Sequence, residues 1–271
     1  MVDPSSKVIV ITGSTRGIGY GLAASFLDLG CHVVVSGRFQ ESTDAAVVAL
    51  AESRAPERIL GRPCDVRDHD AVQQLWDGAM RRFERVDIWI NNAGVGTAQR
   101  PGWAHSPEEM AAVVQTNVLG TLYGARVALQ GMLAQGFGAL YNMEGLGSDG
   151  RRVRGLSLYG ATKRAVRYFT EGLVAETRGS PVLVGSLSPG MVTTDLLVER
   201  LDREAEDWEQ SRWIINILAD RVETVAPWLA RKVLENTEHG AQIKWLTPFK
   251  VAWRFLSAPF TRRDVLTPLG E

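Results

Sequence analysis

The chain has little cysteine and almost no net charge, and each shortage excludes a class of protein. Only Cys31 and Cys64 occur in 271 residues, with no CxxC pair or Cys/His cluster. We therefore predict buried free thiols in a reducing compartment, and no disulfide framework or metal site. Lys and Arg number 30 against 31 acids, a net charge of -1. A protein that binds nucleic acid through its bulk positive charge is thus not expected.

Long hydrophobic runs are also missing. The longest apolar runs are strand-sized, well short of the roughly 18 residues that could cross a bilayer. The first seven residues are polar and show no cleavage signal. We therefore predict neither a membrane span nor a signal peptide, and a cytoplasmic or stroma-like compartment. Because 45% of the residues are hydrophobic and 23% charged, a disordered chain is excluded.

The chain instead alternates short apolar runs with amphipathic helices. Strands are predicted over residues 7–12, 31–36, 59–63, 86–90, 139–143 and 182–187. Helices are predicted over residues 18–29, 41–53, 68–83, 107–135 and 158–177. Strands that are apolar on both faces indicate a parallel sheet covered by helices. We predict an α/β fold, with residues 1–271 forming a single doubly wound (Rossmann) domain with helices on both faces of the sheet.

The alternation weakens after Pro189, where a C-terminal helical and aromatic extension is predicted. It comprises helices over residues 194–220 and 222–238, a short strand over 242–246, and an aromatic helix or turn-rich cap over 248–260. We assign residues 195–271 to the substrate side. Aromatic and basic residues concentrate over 244–263, a composition that suits a membrane interface, a pigment-protein contact or a subunit interface. Ordinary core packing is the alternative.

A glycine-rich turn, TGSTRGIG, follows the first predicted strand and opens the first predicted helix. Glycines allow the backbone to approach a diphosphate, and the helix that follows offers free N–H groups and a positive dipole end. A tight strand–helix turn is the alternative, but the strand and helix on either side favour a dinucleotide site. The candidate cofactor-binding residues here are Gly13, Ser14, Thr15, Arg16, Gly17, Ile18 and Gly19.

The end of the second predicted strand indicates which dinucleotide binds. An acidic residue at this place would bind the ribose 2′-hydroxyl of NAD, but the sequence continues Ser36-Gly37-Arg38. Arg38 and Arg16 together suit a 2′-phosphate, so we predict NADPH or NADP+ as the cofactor. Two solvated surface charges are the alternative. Asp65 and Val66 follow the third strand, where we expect them to meet the adenine.

Tyr159 and Lys163 stand four residues apart on a predicted helix and therefore share a face. A phenol loses its proton only near about pH 10, and a neighbouring ammonium group eases that loss. Such a pair can serve as a general acid for carbonyl reduction. A YxxxK match alone is common, but its place after the glycine turn and five strand–helix alternations argues against chance.

Together these motifs resemble the short-chain dehydrogenase/reductase family over residues 7 to about 195. Further matches are Asn91-Asn92-Ala93-Gly94, Asn117-Val118-Leu119-Gly120 and the stretch from Pro189 to Thr194. The resemblance implies that Tyr159 is the acid/base, that Lys163 holds the nicotinamide ribose and that Asn117 orders a relay water. It also implies a homo-oligomer. It adds cofactor contacts at Asn92, Ala93, Gly94, Tyr159, Lys163, Pro189, Gly190, Val192 and Thr194.

One stretch departs from the family pattern. The family has Asn-x-Ser-Ser after the fifth strand, with the second serine polarising the carbonyl, whereas Gly145 occupies that position here. Ser148 is the nearest hydroxyl, and we predict that it takes the catalytic role. An ordinary loop serine is the alternative. Glu144 could bind a polar substrate group or cap backbone N–H groups.

The departure itself resembles the chlorophyll b reductases within that family. They replace the serine motif by an Asn-Met-Asp/Glu-Gly-x-Gly-Ser stretch, which residues 142–148 match. The resemblance implies NADPH-dependent reduction of the formyl group of chlorophyll b or chlorophyllide b, a hydrophobic small-molecule substrate, to hydroxymethyl. It also implies a position peripheral to a photosynthetic membrane. The alternatives are a reductase of another ketone, oxoacyl or steroid substrate, and a non-catalytic NADP(H)-binding sensor or scaffold.

Overall fold

The computed structural model describes residues 7–198, 208–261 and 263–266. Its strands are β1 (Val8–Ile11), β2 (His32–Val35), β3 (Ile59–Gly61), β4 (Ile88–Asn91), β5 (Gly138–Met143), β6 (Val182–Ser188), β7 (Val192–Thr193), β8 (Asp220–Arg221) and β9 (Gln242–Lys244). Seven of them form a central sheet in the order β3-β2-β1-β4-β5-β6-β9, and every pairing in it is parallel. The predicted parallel α/β sheet is confirmed.

Helices cover both faces of this sheet, as the apolar strands predict. They are α1 (Gly17–Asp28), α2 (Gln40–Ala51), α3 (His69–Phe83), α4 (Pro107–Val114), α5 (Gly120–Gln135), α6 (Ser157–Glu176), α7 (Asp195–Val198), α8 (Trp208–Leu218), α9 (Val222–Glu235) and α10 (Pro248–Ser257). Alternate residues of β1 point to opposite faces. Ile9 packs with Phe26 of α1 and Leu229 of α9 in one core, and Val10 with Leu75 of α3 in the other.

The long helix predicted over 107–135 is continuous but not uniform. A π-helical turn, Gln115–Leu119, lies between α4 and α5 and contains Asn117. Such turns widen the helix and are frequent at functional sites. The predicted helix over 194–220 is instead α7 and α8, and residues 199–207 lie outside the described part of the chain. The sequence pattern did not predict the separate two-stranded pair of β7 and β8.

Asp220 of β8 anchors the C-terminal extension. Its carboxylate is buried and accepts hydrogen bonds from Trp245 at 2.6 Å, from Arg254 at 2.7 and 2.9 Å, and from Arg263 at 2.7 Å. Its backbone N–H donates to Met191, next to β7. Much of the tail's basic charge is therefore turned inward. Arg262, within the predicted contact range 244–263, lies outside the described residues.

Two further findings concern what the described residues lack. No helix among them is both long and apolar enough to cross a membrane. Within the same residues, no group of three or more His, Cys, Asp or Glu side chains could hold a metal ion. Both cysteines are buried and unpaired, as predicted, and burial raises the pKa of each thiol to about 12.

Candidate active site

The glycine turn lies where β1 and β4 meet, the point at which the strand order reverses and α/β proteins bind ligands. Thr12 fastens the two strand ends, because its hydroxyl accepts from the backbone N–H groups of Asn92 and Ala93 at 3.0 and 3.1 Å. Gly13 has φ +62°, and a Cβ there would lie 2.7 Å from Cα of Ala93. A Cβ on Gly19 would lie 2.4 Å from the Asn92 amide nitrogen. Both positions require glycine for this close packing.

The residues present fit the diphosphate of a dinucleotide. Helix α1 begins at Gly17, and the side chain of its N-cap residue, Arg16, makes no capping hydrogen bond to the first turn. The first N–H groups of a helix have no partner within the helix, so they can bind an anion. Across the turn, Oδ1 of Asn92 is buried and has no hydrogen-bond partner among the described residues. The helix N-terminus thus suits the diphosphate, which only accepts hydrogen bonds, whereas Oδ1 of Asn92 suits a donor group of the cofactor such as a hydroxyl.

Each of the two predicted phosphate-binding arginines makes a contact in the structure that the sequence did not predict. Arg38 is exposed and stacks on the ring of Phe39 at 4.4 Å. Arg16 instead pairs with Asp195 at the start of α7, at 3.3 Å. Thr15 is the turn residue beside Gly37, since a Cβ on Gly37 would lie 2.5 Å from its methyl group. Thr15 and Arg38 therefore flank the place predicted for a 2′-phosphate.

The segments predicted to surround the rest of the cofactor also reach this edge of the sheet. Asp65 accepts a paired hydrogen bond from Arg67, which lowers the pKa of that carboxyl. Val66 is buried against Gly120. Thr194 lies close to the first turn of α1, because a Cβ on Gly17 would be 3.4 Å from its methyl group. Val192 is buried in β7, and Gly190, with φ +75°, passes close to Leu246 beyond Pro189.

Tyr159, Lys163 and Asn117 are all buried, and they converge beyond the ends of β4 and β5. Nζ of Lys163 lies 6.0 Å from the centre of the Tyr159 ring and donates to the carbonyl of Met143 at 3.1 Å. The Asn117 amide nitrogen donates to the Val95 carbonyl at 3.0 Å and to the Thr162 hydroxyl at 3.1 Å. Its oxygen accepts from the N–H of Val95 at 2.8 Å. Asn117 thus ties the loop after Gly94 to α6.

Gly145 lies directly against the tyrosine hydroxyl. A Cβ at this position would be 2.6 Å from Oη of Tyr159 and 3.2 Å from Cγ of Lys163. A serine here would therefore need the tyrosine or the loop to move. Glycine at position 145 is therefore compatible with the observed place of the tyrosine hydroxyl.

Ser148 and Glu144 form a buried pair beside this loop. The Ser148 hydroxyl donates to the Glu144 carboxylate at 3.2 Å, and its carbonyl accepts from Arg164 at 2.9 Å. Glu144 is 4% exposed, and its N–H donates to Leu187 of β6. Glu144 therefore holds the loop through Ser148, a role that the sequence left open.

A buried network of side-chain hydrogen bonds beneath the site was not predicted from the sequence. Trp89 donates to Asn91 at 2.8 Å, Asn91 to Asn142 at 2.9 Å, and Asn142 to the Thr170 hydroxyl at 2.9 Å. This network joins β4 and β5, whose C-terminal loops form part of the site, to α6, which contains Tyr159. The signal in the sequence is an asparagine within the last two residues of each of two mainly apolar strands, β4 and β5.

Comparison with known proteins agrees with this geometry. The family model for short chain dehydrogenases matches residues 7–205. Chlorophyll(ide) b reductase NOL of Arabidopsis thaliana is 38% identical over 258 residues, 92% of this chain and 72% of that protein. Its counterpart in Oryza sativa subsp. japonica is 38% identical over 266 residues, 95% of this chain and 76% of that protein. The solved structure of ElxO with NADP bound has a TM-score of 0.76 and 26% identity, covering 89% of this chain and 98% of that one. The chain therefore belongs to the short-chain dehydrogenase family and is an oxidoreductase that uses a nicotinamide cofactor.

Proposed function

We propose that the protein reduces the formyl group of chlorophyll b or chlorophyllide b to hydroxymethyl, with NADPH as the reductant. The observation that carries this proposal is the likeness to chlorophyll(ide) b reductase NOL, which extends over 92% of the chain. The stretch from Asn142 to Ser148 supports it, because the loop has no hydroxyl at Gly145, against the tyrosine. A reductase with the ordinary serine motif would carry a serine hydroxyl at this position.

In this proposal Tyr159 is the general acid. When bound, the reduced nicotinamide supplies a hydride to the formyl carbon. Tyr159 gives its hydroxyl proton to the formyl oxygen, so the C=O double bond becomes a C–O single bond while one C–H and one O–H bond form. The ammonium group of Lys163 stabilises the phenolate that remains, and Asn117 orders the water that returns the proton. Burial of all three side chains excludes bulk water from these contacts.

The residues beyond the end of β2 favour NADPH over NADH. Arg38 is a cation at the place where a carboxylate would select NADH, and Thr15 adds a hydroxyl beside it. The 2′-phosphate would therefore gain a charge-assisted contact with Arg38. Arg16 would add a second such contact, because its pair with Asp195 is more than half exposed on both sides and therefore weak.

The test of the function is absorbance spectroscopy of the purified protein with chlorophyllide b and NADPH. We expect the pigment spectrum to shift to that of the hydroxymethyl product, and NADH to support a rate at least about tenfold lower. Turnover of simple ketones without turnover of the pigment would make the protein a reductase of another substrate. Cofactor binding without turnover of either class would indicate a sensor or scaffold.

We propose Ser148 as the group that polarises the formyl oxygen. The Ser148 hydroxyl donates a hydrogen bond to the Glu144 carboxylate in this structure. Its side chain must therefore turn away from Glu144 to donate to the formyl oxygen of the substrate. Ser148→Ala is expected to lower kcat by about 10²-fold, the effect typical of losing one such donor, while NADPH affinity is kept. Steady-state kinetics with the aldehyde would measure both. An unchanged kcat would leave Ser148 only the task of holding the loop.

We also propose a reducing, stroma-like compartment, peripheral contact with a membrane or pigment-protein through residues 244–263, and a homo-oligomer. Support for the compartment comes from the two plant relatives, which are chloroplastic proteins. The unpaired thiols agree with reducing conditions. Size-exclusion chromatography with light scattering would measure the oligomeric state.

A further inference from the structure

Helix α10 presents an apolar stripe to solvent. Phe249 is 80% exposed, Trp253 62% and Leu256 72%, and Phe260, in the turn that follows, is 88% exposed. Their spacings of four, three and four residues place them on one side of a helix. A water-exposed helix normally carries polar residues on this side. An exposed apolar patch of this kind marks a surface that binds another protein, a membrane or a ligand.

The charged side chains of the same helix point the other way. Arg254 is bound to the buried carboxylate of Asp220, and Nζ of Lys250 lies 3.0 Å from the centre of the Trp245 ring. Burial of Lys250, together with Arg254 nearby, lowers the pKa of its ammonium group to about 8. Helix α10 is therefore oriented opposite to an ordinary surface helix, with its charged side chains toward the protein and its aromatic rings toward solvent. None of its residues is fully buried.

We propose that α10 is an interfacial helix that inserts this apolar stripe, Phe249, Trp253, Leu256 and Phe260, into the surface of a lipid bilayer. Aromatic rings and leucine on one side of a helix, with Lys and Arg on the other, are typical of helices that lie in the headgroup region. Charge favours a membrane over a second copy of the chain. Residues 241–261 contain three cations and no acid, and Asp220 carries one negative charge against Arg254 and Arg263 together. The region around α10 is therefore net positive although its cations face the protein, which favours anionic lipid headgroups over a second copy of the same positive segment.

The inference deepens the proposed function, since a pigment held in a membrane would be reached from that surface. Helix α10 contacts α8 through Phe255 and Trp213, whose rings are 5.9 Å apart, and α8 leads into β8 beside the Pro189–Thr194 segment. Binding to lipid needs neither pigment nor cofactor. The vesicle experiments can therefore fail while pigment reduction succeeds, and pigment reduction can fail while the protein binds vesicles.

Cosedimentation with vesicles of phosphatidylcholine and phosphatidylglycerol tests the stripe directly. The full chain is expected to sediment with the vesicles, and Phe249→Ser with Trp253→Ser to lower the partition coefficient by about 100-fold or more. Both side chains are exposed, so the variant should fold normally. Trp103→Ser is the matched control, because Trp103 is 88% exposed in a different segment, Gly102–Ala104, and its loss should not affect binding.

An environment-sensitive dye locates the contact. Leu256→Cys provides an exposed thiol on the stripe, whereas the two natural thiols are buried and resist alkylation. The dye at position 256 should shift to the blue when vesicles are added, and the same dye on Val48→Cys, at an exposed position of α2, should not.

Three results would overturn the inference. The full chain could fail to sediment with the vesicles, or the control variant could lose binding as strongly as the stripe variant. Alternatively, stripe substitutions could convert an oligomer to monomer in light scattering without any vesicle binding. The stripe would then be a contact between copies of the chain.

Discussion

Replacing Tyr159 by phenylalanine is expected to lower kcat for chlorophyllide b reduction by about 10³-fold, the scale of a lost general acid. The substitution removes one hydroxyl and leaves the buried ring. Gly145 gives that hydroxyl its room, since no Cβ competes for the space 2.6 Å away. Affinity for NADPH, followed by its fluorescence, should change little, because Lys163 keeps its bond to Met143.

Tyr168→Phe is the matched control for this measurement. Tyr168 lies on the same helix, α6, but its side chain is 78% exposed and does not belong to the site. Its substitution should leave kcat at the level of the unaltered protein. If Tyr159→Phe retained that level too, Tyr159 would not be the acid, and the proton would have to come from another group.

Replacing Asp220 by alanine is expected to lower the free energy of unfolding by about 3–5 kcal/mol. The aspartate is 5% exposed and is the shared acceptor of Trp245, Arg254 and Arg263. Its removal leaves two guanidinium groups partly buried without their counter-ion, which costs more than the lost attraction. Urea unfolding followed by circular dichroism would measure the change.

Asp28→Ala provides the comparison for Asp220→Ala. Asp28 also accepts a paired hydrogen bond from an arginine, Arg54, but its side chain is 58% exposed. Solvent screens such a pair, so the expected loss is about 1 kcal/mol or less. Equal losses in the two variants would show that burial of Asp220 contributes nothing to its effect.

The parts of the fold that local patterns control were predictable from the sequence. The strand–helix alternation predicted the six principal strands of the parallel sheet and the last short one, because apolar runs and helical periodicity report burial directly. Residues 12–19 predicted the glycine turn, and the four-residue spacing placed Tyr159 and Lys163 on one buried helix face. The buried pair β7 and β8 was missed, since strands of two residues carry no periodic signal.

Contacts between residues far apart in the chain were not predictable in the same way. Arg16 pairs with Asp195, 179 residues away, a contact that nothing in the sequence predicts. Ser148 was expected to face a carbonyl, and its hydroxyl donates to Glu144 in this structure. A charged or hydroxyl side chain can satisfy its hydrogen bonds with any partner in reach, and only the packed chain decides which partner that is.

The sequence by itself thus determined the sheet, the dinucleotide cradle and the Tyr159–Lys163 pair, because each depends on residues that are close in sequence or on the end of a strand. The tertiary structure alone decided that Gly145 makes room for the tyrosine hydroxyl and that Asp220 draws Arg254 and Arg263 inward. It also decided the orientation of α10. The buried carboxylate of Asp220 binds Arg254 on one side of this helix, and Phe249, Trp253 and Leu256 on its other side face outward.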